Sequence, residues 1–179
     1  MSTTAALLTV DQFLAMAEDE TVRQELIGGE IVAMGRGGPL HEIVKSNFSQ
    51  EFGFHLKQSP VGRAMTETTF RLSEHDSLMP DVSVVLAGRF DPRRPGLIPV
   101  CPDIAIEVVS SEPAAVLRAK IQLYLQHGAK AVWVAYPELR MIQVYDASGV
   151  RELSGDQRLE APEVLPGFSV PAAAFFEGI

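Results

Sequence analysis

Hydrophobic positions recur along this chain in two spacings, one helical and one alternating, and the switches between them mark its elements. Thr9-Val10-Asp11-Gln12 fits a capping box, and Phe13, Leu14, Met16 and Ala17 follow at helical spacing, which predicts a short packing helix. Residues 23–34, RQELIGGEIVAM, alternate on both sides of Gly28-Gly29 and predict a two-residue hairpin. Its acids, Glu25 and Glu30, flank the turn and suit either solvated strand positions or a cleft. Pro39 opens a helix to about Lys57, with Ile43, Val44, Phe48, Phe52 and Leu56 on one face and His41 in the first turn. Residues 61–72 read as extended, residues 74–78 as a polar turn, and Val82–Leu86 as a central strand entered through Pro80 and Asp81.

The next stretch, residues 102–136, reads as strand, loop, amphipathic helix and strand. Period-two alternation puts Asp103, Ala105, Glu107 and Val109 on one face of its first strand, and Ile104, Ile106 and Val108 on the other. Leu117, Ile121, Tyr124 and Leu125 form the helix's packed stripe, Lys120 lies at the margin of that stripe, and Gly128 ends the helix. Residues 131–135 predict a buried strand, residues 141–145 its hairpin partner, and residues 150–153 a third strand. A polar stretch then leads through LPGF to a C-terminal segment that docks through Phe175 and Phe176. The succession predicts one α/β domain over residues 1–179: a mixed β-sheet flanked by helices, with an N-terminal β-hairpin and peripheral C-terminal strands.

Composition narrows the function classes. Hydrophobic residues make up 46% of the chain and charged residues 21%, as in ordinary globular domains. The net charge of −8 argues against a protein that grips nucleic acid by general electrostatics, but leaves room for an acidic metal site or a local basic patch. The densest basic patch is Arg89, Arg93 and Arg94, in a proline-rich loop over residues 88–102; it suits either a solvated loop or contact with phosphates. The single cysteine, Cys101, excludes an internal disulfide and a cysteine-built zinc site. No apolar run is long enough to span a bilayer, and the N-terminal residues lack a secretory pattern, so the expected setting is cytoplasmic.

Asp81, Glu107 and Lys120 carry the candidate chemistry. The acids stand at the start of one predicted strand and inside the next, so they converge if the strands are neighbours. Two hard oxygen ligands suit Mg²⁺ or Mn²⁺, and a nearby ammonium would offset charge building on a phosphate or help deprotonate the attacking water. The same three residues also suit a structural salt bridge. An acid inside an Ile/Val strand is uncommon as a purely structural choice, which favours the functional reading.

The ordered motifs ELIGGEIV, the helix-opening His41, MPDVSVV, PDIAIEVVS, KIQLYLQHGAKAVWV and LPGF resemble the Uma-type restriction endonuclease family of the PD-(D/E)xK nuclease superfamily, from about Thr9 to Phe176. The resemblance implies a restriction-endonuclease-like core and a metal-dependent endonuclease that hydrolyses DNA phosphodiester bonds. It implies Asp81 and Glu107 as metal ligands and, because Val109 stands where the motif lysine is usual, Lys120 supplied from the following helix. Glu25 (or Glu30) and His41 match further polar positions of the family cleft, and Arg89, Arg93 and Arg94 are candidates for DNA contact. Gly28 and Tyr136 depart from acidic family positions, and Ala114, Ala115 and Val116 from polar ones. The alternative is therefore a weakened or inactive nuclease fold acting as a binding or regulatory module. A homodimer or higher homo-oligomer would widen the DNA surface of so acidic a protomer.

Overall fold

A computed structural model describes residues 7–16, 23–35 and 37–179. In chain order the elements are α1 (Val10–Leu14), β1 (Arg23–Ile27), β2 (Glu30–Met34), α2 (Pro39–Gln58), β3 (Gly62–Thr66), β4 (Phe70–Arg71), β5 (Ser77–Leu78), β6 (Val82–Leu86) and β7 (Ile104–Val108). They continue with α3 (Ala114–Gln126), β8 (Ala131–Tyr136), β9 (Met141–Asp146), β10 (Gly149–Ser154), β11 (Arg158–Ala161) and β12 (Leu165–Pro171).

The main sheet has the order β10-β9-β8-β7-β6-β3. Its one parallel pair is β7 and β8, and α3 makes the crossover between them, as a parallel connection requires. All other neighbours in this sheet are antiparallel. A smaller sheet, β2-β1-β5-β4, carries the predicted hairpin. Gly28 and Gly29 both adopt positive φ (58° and 79°), the requirement of a tight hairpin turn that twists with its strands. β11 and β12 form a separate hairpin.

The alternation expected in β7 holds. Ile104, Ile106 and Val108 face the α2 side, where Val44, Phe48 and Phe52 meet Trp133, Phe168 and Phe175. Phe48 stacks on Phe175 with ring centroids 4.2 Å apart, so the C-terminal segment docks through its aromatic residues as expected. Ala105 packs on the opposite face, with Val132, Val134, Leu117, Ile121 and Tyr124. Glu107 shares that face by strand register.

Four local expectations are corrected. The Thr9 capping box forms, but α1 is five residues long and buries Val10 alone among its residues, so Leu14 and Met16 are 48% and 49% exposed. Ala17 lies outside the described residues. Ile43, expected in the core face of α2, is exposed, because α2 packs through the turns carrying Val44, Phe48 and Phe52. Ser77 and Leu78 are buried in β5 rather than in a polar turn, because β5 lies between β1 and β4 and pairs with both. The polar stretch before LPGF is strand β11, whose Leu159 and Ala161 alternate inward.

Candidate active site

Antiparallel pairing of β6 with β7 sets Val82 opposite Ile106, so one step further Asp81 stands opposite Glu107. Asp81 is tied to that neighbourhood directly, because its Oδ2 accepts the Val108 backbone N–H at 2.7 Å. α3, crossing back over the same face, delivers Lys120, and β1 delivers Glu25 from the smaller sheet. The four side chains are buried. Asp81, Glu107 and Lys120 line a cleft of about 800 Å³ whose other walls include α1, the start of α2 and residues 110–113.

The contacts form one network. The Lys120 ammonium lies 2.6 Å from Glu107 Oε2 and 3.1 Å from Glu25 Oε2. Tyr124, one turn along α3, donates its hydroxyl to Glu107 Oε1 at 2.8 Å. Glu25 Oε1 accepts the Met79 N–H at 2.6 Å, which ties β1 to the segment entering β6. Arg23, two residues before Glu25 and so on the same strand face, donates Nη1 to Asp81 Oδ1 at 2.7 Å. His41 Nε2 lies 3.3 Å from Asp81 Oδ2, and its Nδ1 lies 3.2 Å from Glu42. The ring needs Gly37: a Cβ there would come within 2.9 Å of His41 Cβ. Lys45 closes the rim with ion pairs to Glu42 and Glu67 at 2.6 and 2.9 Å.

Burial and charge set the protonation states. Burial opposes ionisation of Asp81, but the His41 hydrogen bond and the Arg23 charge overcome it and hold its carboxyl well below the usual range. Burial opposes the Lys120 charge too, yet Glu107 and Glu25 hold the ammonium above the ordinary lysine range. Burial pushes Glu107 up to about 8, against the pull of Lys120, and the Asp81 and Glu25 charges add to the push. His41 is raised: burial disfavours its charge, and the bonds to Asp81 and Glu42 outweigh it.

Hard carboxylate oxygens are the right donor chemistry for Mg²⁺ or Mn²⁺, and Mg²⁺ needs only one or two carboxylates when water and a phosphate complete its shell. Asp81 and Glu107 fit in kind and number. Among the described residues no three His, Cys, Asp or Glu side chains form a ready-made cage. Each oxygen of Asp81 and Glu107 already accepts from a protein donor. The pair thus stands compensated by Arg23 and Lys120.

Of the residues singled out in the sequence, Asp81, Glu107, Lys120, Glu25 and His41 come together. Glu30 does not: it is exposed at the hairpin turn. Lys120 is 1% exposed, not marginal, because Glu25 and Glu107 compensate its charge inside the fold. Arg89, Arg93 and Arg94 do not line the cleft. Arg89, beyond the far end of β6 from Asp81, pairs with buried Asp103 at 2.8 Å, while Arg93 and Arg94 are exposed. Sequence reading missed Arg23 and treated Tyr124 as packing alone. The signals were present, in the two-residue spacing of Arg23 from Glu25 and the four-residue spacing of Tyr124 from Lys120.

Among the described residues no helix is long and apolar enough to cross a membrane. No curated protein matches the chain. A crystal structure described as a putative nuclease belonging to DUF820, from Anabaena variabilis ATCC 29413, has the same fold, with a TM-score of 0.85 at 23% identity over 94% of this chain and 97% of that one. The family model described as Uma2, putative restriction endonuclease, matches residues 10–173. The chain belongs to the Uma2 family.

Proposed function

We propose that the chain is a divalent-metal-dependent nuclease that hydrolyses phosphodiester bonds of DNA. The observation that carries this reading is the meeting of Asp81, Glu107 and Lys120, from the turn before β6, β7 and α3, at the base of one cleft, with Glu25 of β1 behind Lys120. Asp81 and Glu107 would hold Mg²⁺ or Mn²⁺, which supplies Lewis-acid charge at the phosphate and lowers the pKa of the attacking water. Lys120, kept charged by Glu107 and Glu25, offsets negative charge that builds on the phosphate. Glu25 positions Lys120. Tyr124 orients the Glu107 carboxylate through Oε1. His41 orients Asp81 from the N-terminal turn of α2 and stands where a proton could pass to or from the cleft.

Arg93 and Arg94, exposed on the loop between β6 and β7, are the proposed contacts to the DNA backbone. Arg89 is assigned less to DNA than to holding Asp103. The chain acts as a homodimer in this reading. Edge strand β10, which among the described residues pairs with β9 alone and exposes Val150, is the proposed joining surface.

A second reading, a nuclease fold kept as a binding or regulatory module, is favoured by one observation: every Asp81 and Glu107 oxygen has a protein donor. Cleavage of plasmid and single-stranded DNA with Mg²⁺, Mn²⁺ or EDTA, by the wild type and Asp81→Ala, separates the two. The nuclease reading requires cleavage that needs the ion and is lost in the variant.

A further inference from the structure

We propose that Arg23 is a built-in counter-cation of the metal site, exchanged for the divalent ion when the ion binds. This rests on the reading of Asp81 and Glu107 as metal ligands. It concerns a residue to which that reading gives no role.

Asp81 has two oxygens. Oδ2 is engaged by the Val108 backbone N–H at 2.7 Å and faces His41 at 3.3 Å. The backbone donor belongs to β7, where Val108 pairs with Ala135 of β8, and cannot leave without distorting the sheet. Oδ1 is held by Arg23 Nη1 at 2.7 Å, and this donor sits on a side chain with rotatable bonds. An ion approaching Asp81 from the cleft must therefore compete with Arg23, not with the sheet.

Arg23 is also where a cation is needed. Its Nη2 lies 3.6 Å from Glu25 Oε1, so the guanidinium spans Glu25 and Asp81 while Lys120 spans Glu25 and Glu107. Three buried carboxyl groups thus share one buried cation, Lys120, and one partly buried cation, Arg23, with His41 beside Asp81 as a titratable third and Glu112 adding a further acid at the cleft wall. Without Arg23, Asp81 would face the cleft as a carboxylate short of charge, which a buried site does not tolerate cheaply.

The guanidinium is held by charge more than by fit. It is 15% exposed, and among the described residues its buried Nε and Nη2 have no hydrogen-bond acceptor. A guanidinium has five donors in a planar fork, and a residue selected only to brace Asp81 would have more of them satisfied. An ion on Asp81 takes over the charge compensation and releases the fork, whose natural bidentate partner is the phosphate of the substrate. Lys120 cannot play the exchanging part, because it is closed in between Glu25 and Glu107 at 1% exposure.

The test is a Mn²⁺ titration of the wild type, Arg23→Gln, Arg23→Lys and Asp81→Asn by calorimetry, with thermal unfolding followed in parallel. Arg23→Gln is expected to unfold at lower temperature without Mn²⁺, to bind Mn²⁺ about ten-fold or more tighter than the wild type, and to gain more in unfolding temperature from the ion. Arg23→Lys, which keeps the charge, should stay near the wild-type affinity. In the wild type, the Arg23 Nε–H resonance should move when diamagnetic Mg²⁺ is added, a readout that stands if Arg23→Gln fails to fold. Unchanged or weaker Mn²⁺ binding by Arg23→Gln, or an Arg23 resonance that ignores bound Mg²⁺, overturns the proposal while the metal-site reading survives. That separate reading survives if the wild type binds Mn²⁺ and Asp81→Asn does not. Absence of binding in every protein overturns both.

Discussion

The Lys120 ammonium is 2.6 Å from Glu107 Oε2, in a contact that neither residue could make without the β7–α3–β8 crossover. The strand supplies the acid and the helix behind it supplies the cation. Breaking a buried pair of this kind leaves a charge with no partner.

Lys120→Met is therefore expected to destabilise the protein by about 3 kcal/mol or more and to abolish cleavage. The cost should depend on pH. Glu107 binds its proton more tightly folded than unfolded, from an ordinary 4.5 up to about 8, so its contribution is fully favourable below 4.5 and declines as pH rises through about 8. Urea unfolding at pH 5 and at pH 8.5 should show the variant losing more at the higher pH, where Glu107 must ionise without Lys120.

Tyr124→Phe removes the hydroxyl that donates to Glu107 Oε1 and leaves the ring in place. A loss of about 1–3 kcal/mol in urea unfolding is expected, the cost of one unsatisfied buried acceptor. Cleavage should fall less than in Lys120→Met, because the cation remains.

His41 and Asp81 predict opposite limbs of a stability profile. His41 is raised, so its contribution is complete below 6.5 and is lost as pH rises through its folded value. Asp81 is lowered, so its contribution is present above 3.8 and is lost as pH falls through its folded value. His41→Gln should flatten the decline above pH 6.5, and Asp81→Asn should flatten the acid limb. Gly37→Ala should resemble His41→Gln, because a Cβ there displaces the ring. Chemical unfolding across pH 3 to 9 checks all three.

How much of this was legible in the sequence follows from how each signal is encoded. Glu107 stood out because it breaks an Ile/Val strand, Lys120 because it lies at the margin of the α3 stripe and Asp81 because it enters a strand beside Pro80, and the pairing of Val82 with Ile106 brought the two acids opposite one another. The hairpin was legible because Gly28-Gly29 takes without steric cost the positive φ that a two-residue turn between strands needs at both positions. Glu25 and Glu30 were indistinguishable locally; pairing of Leu26 with Ser77 turns β1 inward and leaves Glu30 at the tip. Arg23 was hidden because its partner Asp81 is 58 residues away. Leu14 and Met16 misled because helical spacing predicts a buried face only where there is something to bury it against.

The basic loop divides into two behaviours. Arg93→Ala with Arg94→Ala should weaken DNA binding and lower the salt slope by about 2, the count of phosphate contacts removed. Arg89→Ala should instead destabilise the fold, because Asp103 is buried and loses its ion pair. Fluorescence anisotropy over a salt series and thermal unfolding distinguish them.

The most direct test of the active-site assignment is cleavage of supercoiled plasmid by purified wild type and Asp81→Ala, with Mg²⁺ or Mn²⁺ and with EDTA. Nicked or linear product is expected from the wild type only with the ion present, and none from Asp81→Ala under any condition. Cleavage that persists in Asp81→Ala or in EDTA, or a wild type that binds Mn²⁺ and leaves DNA intact, would contradict that assignment.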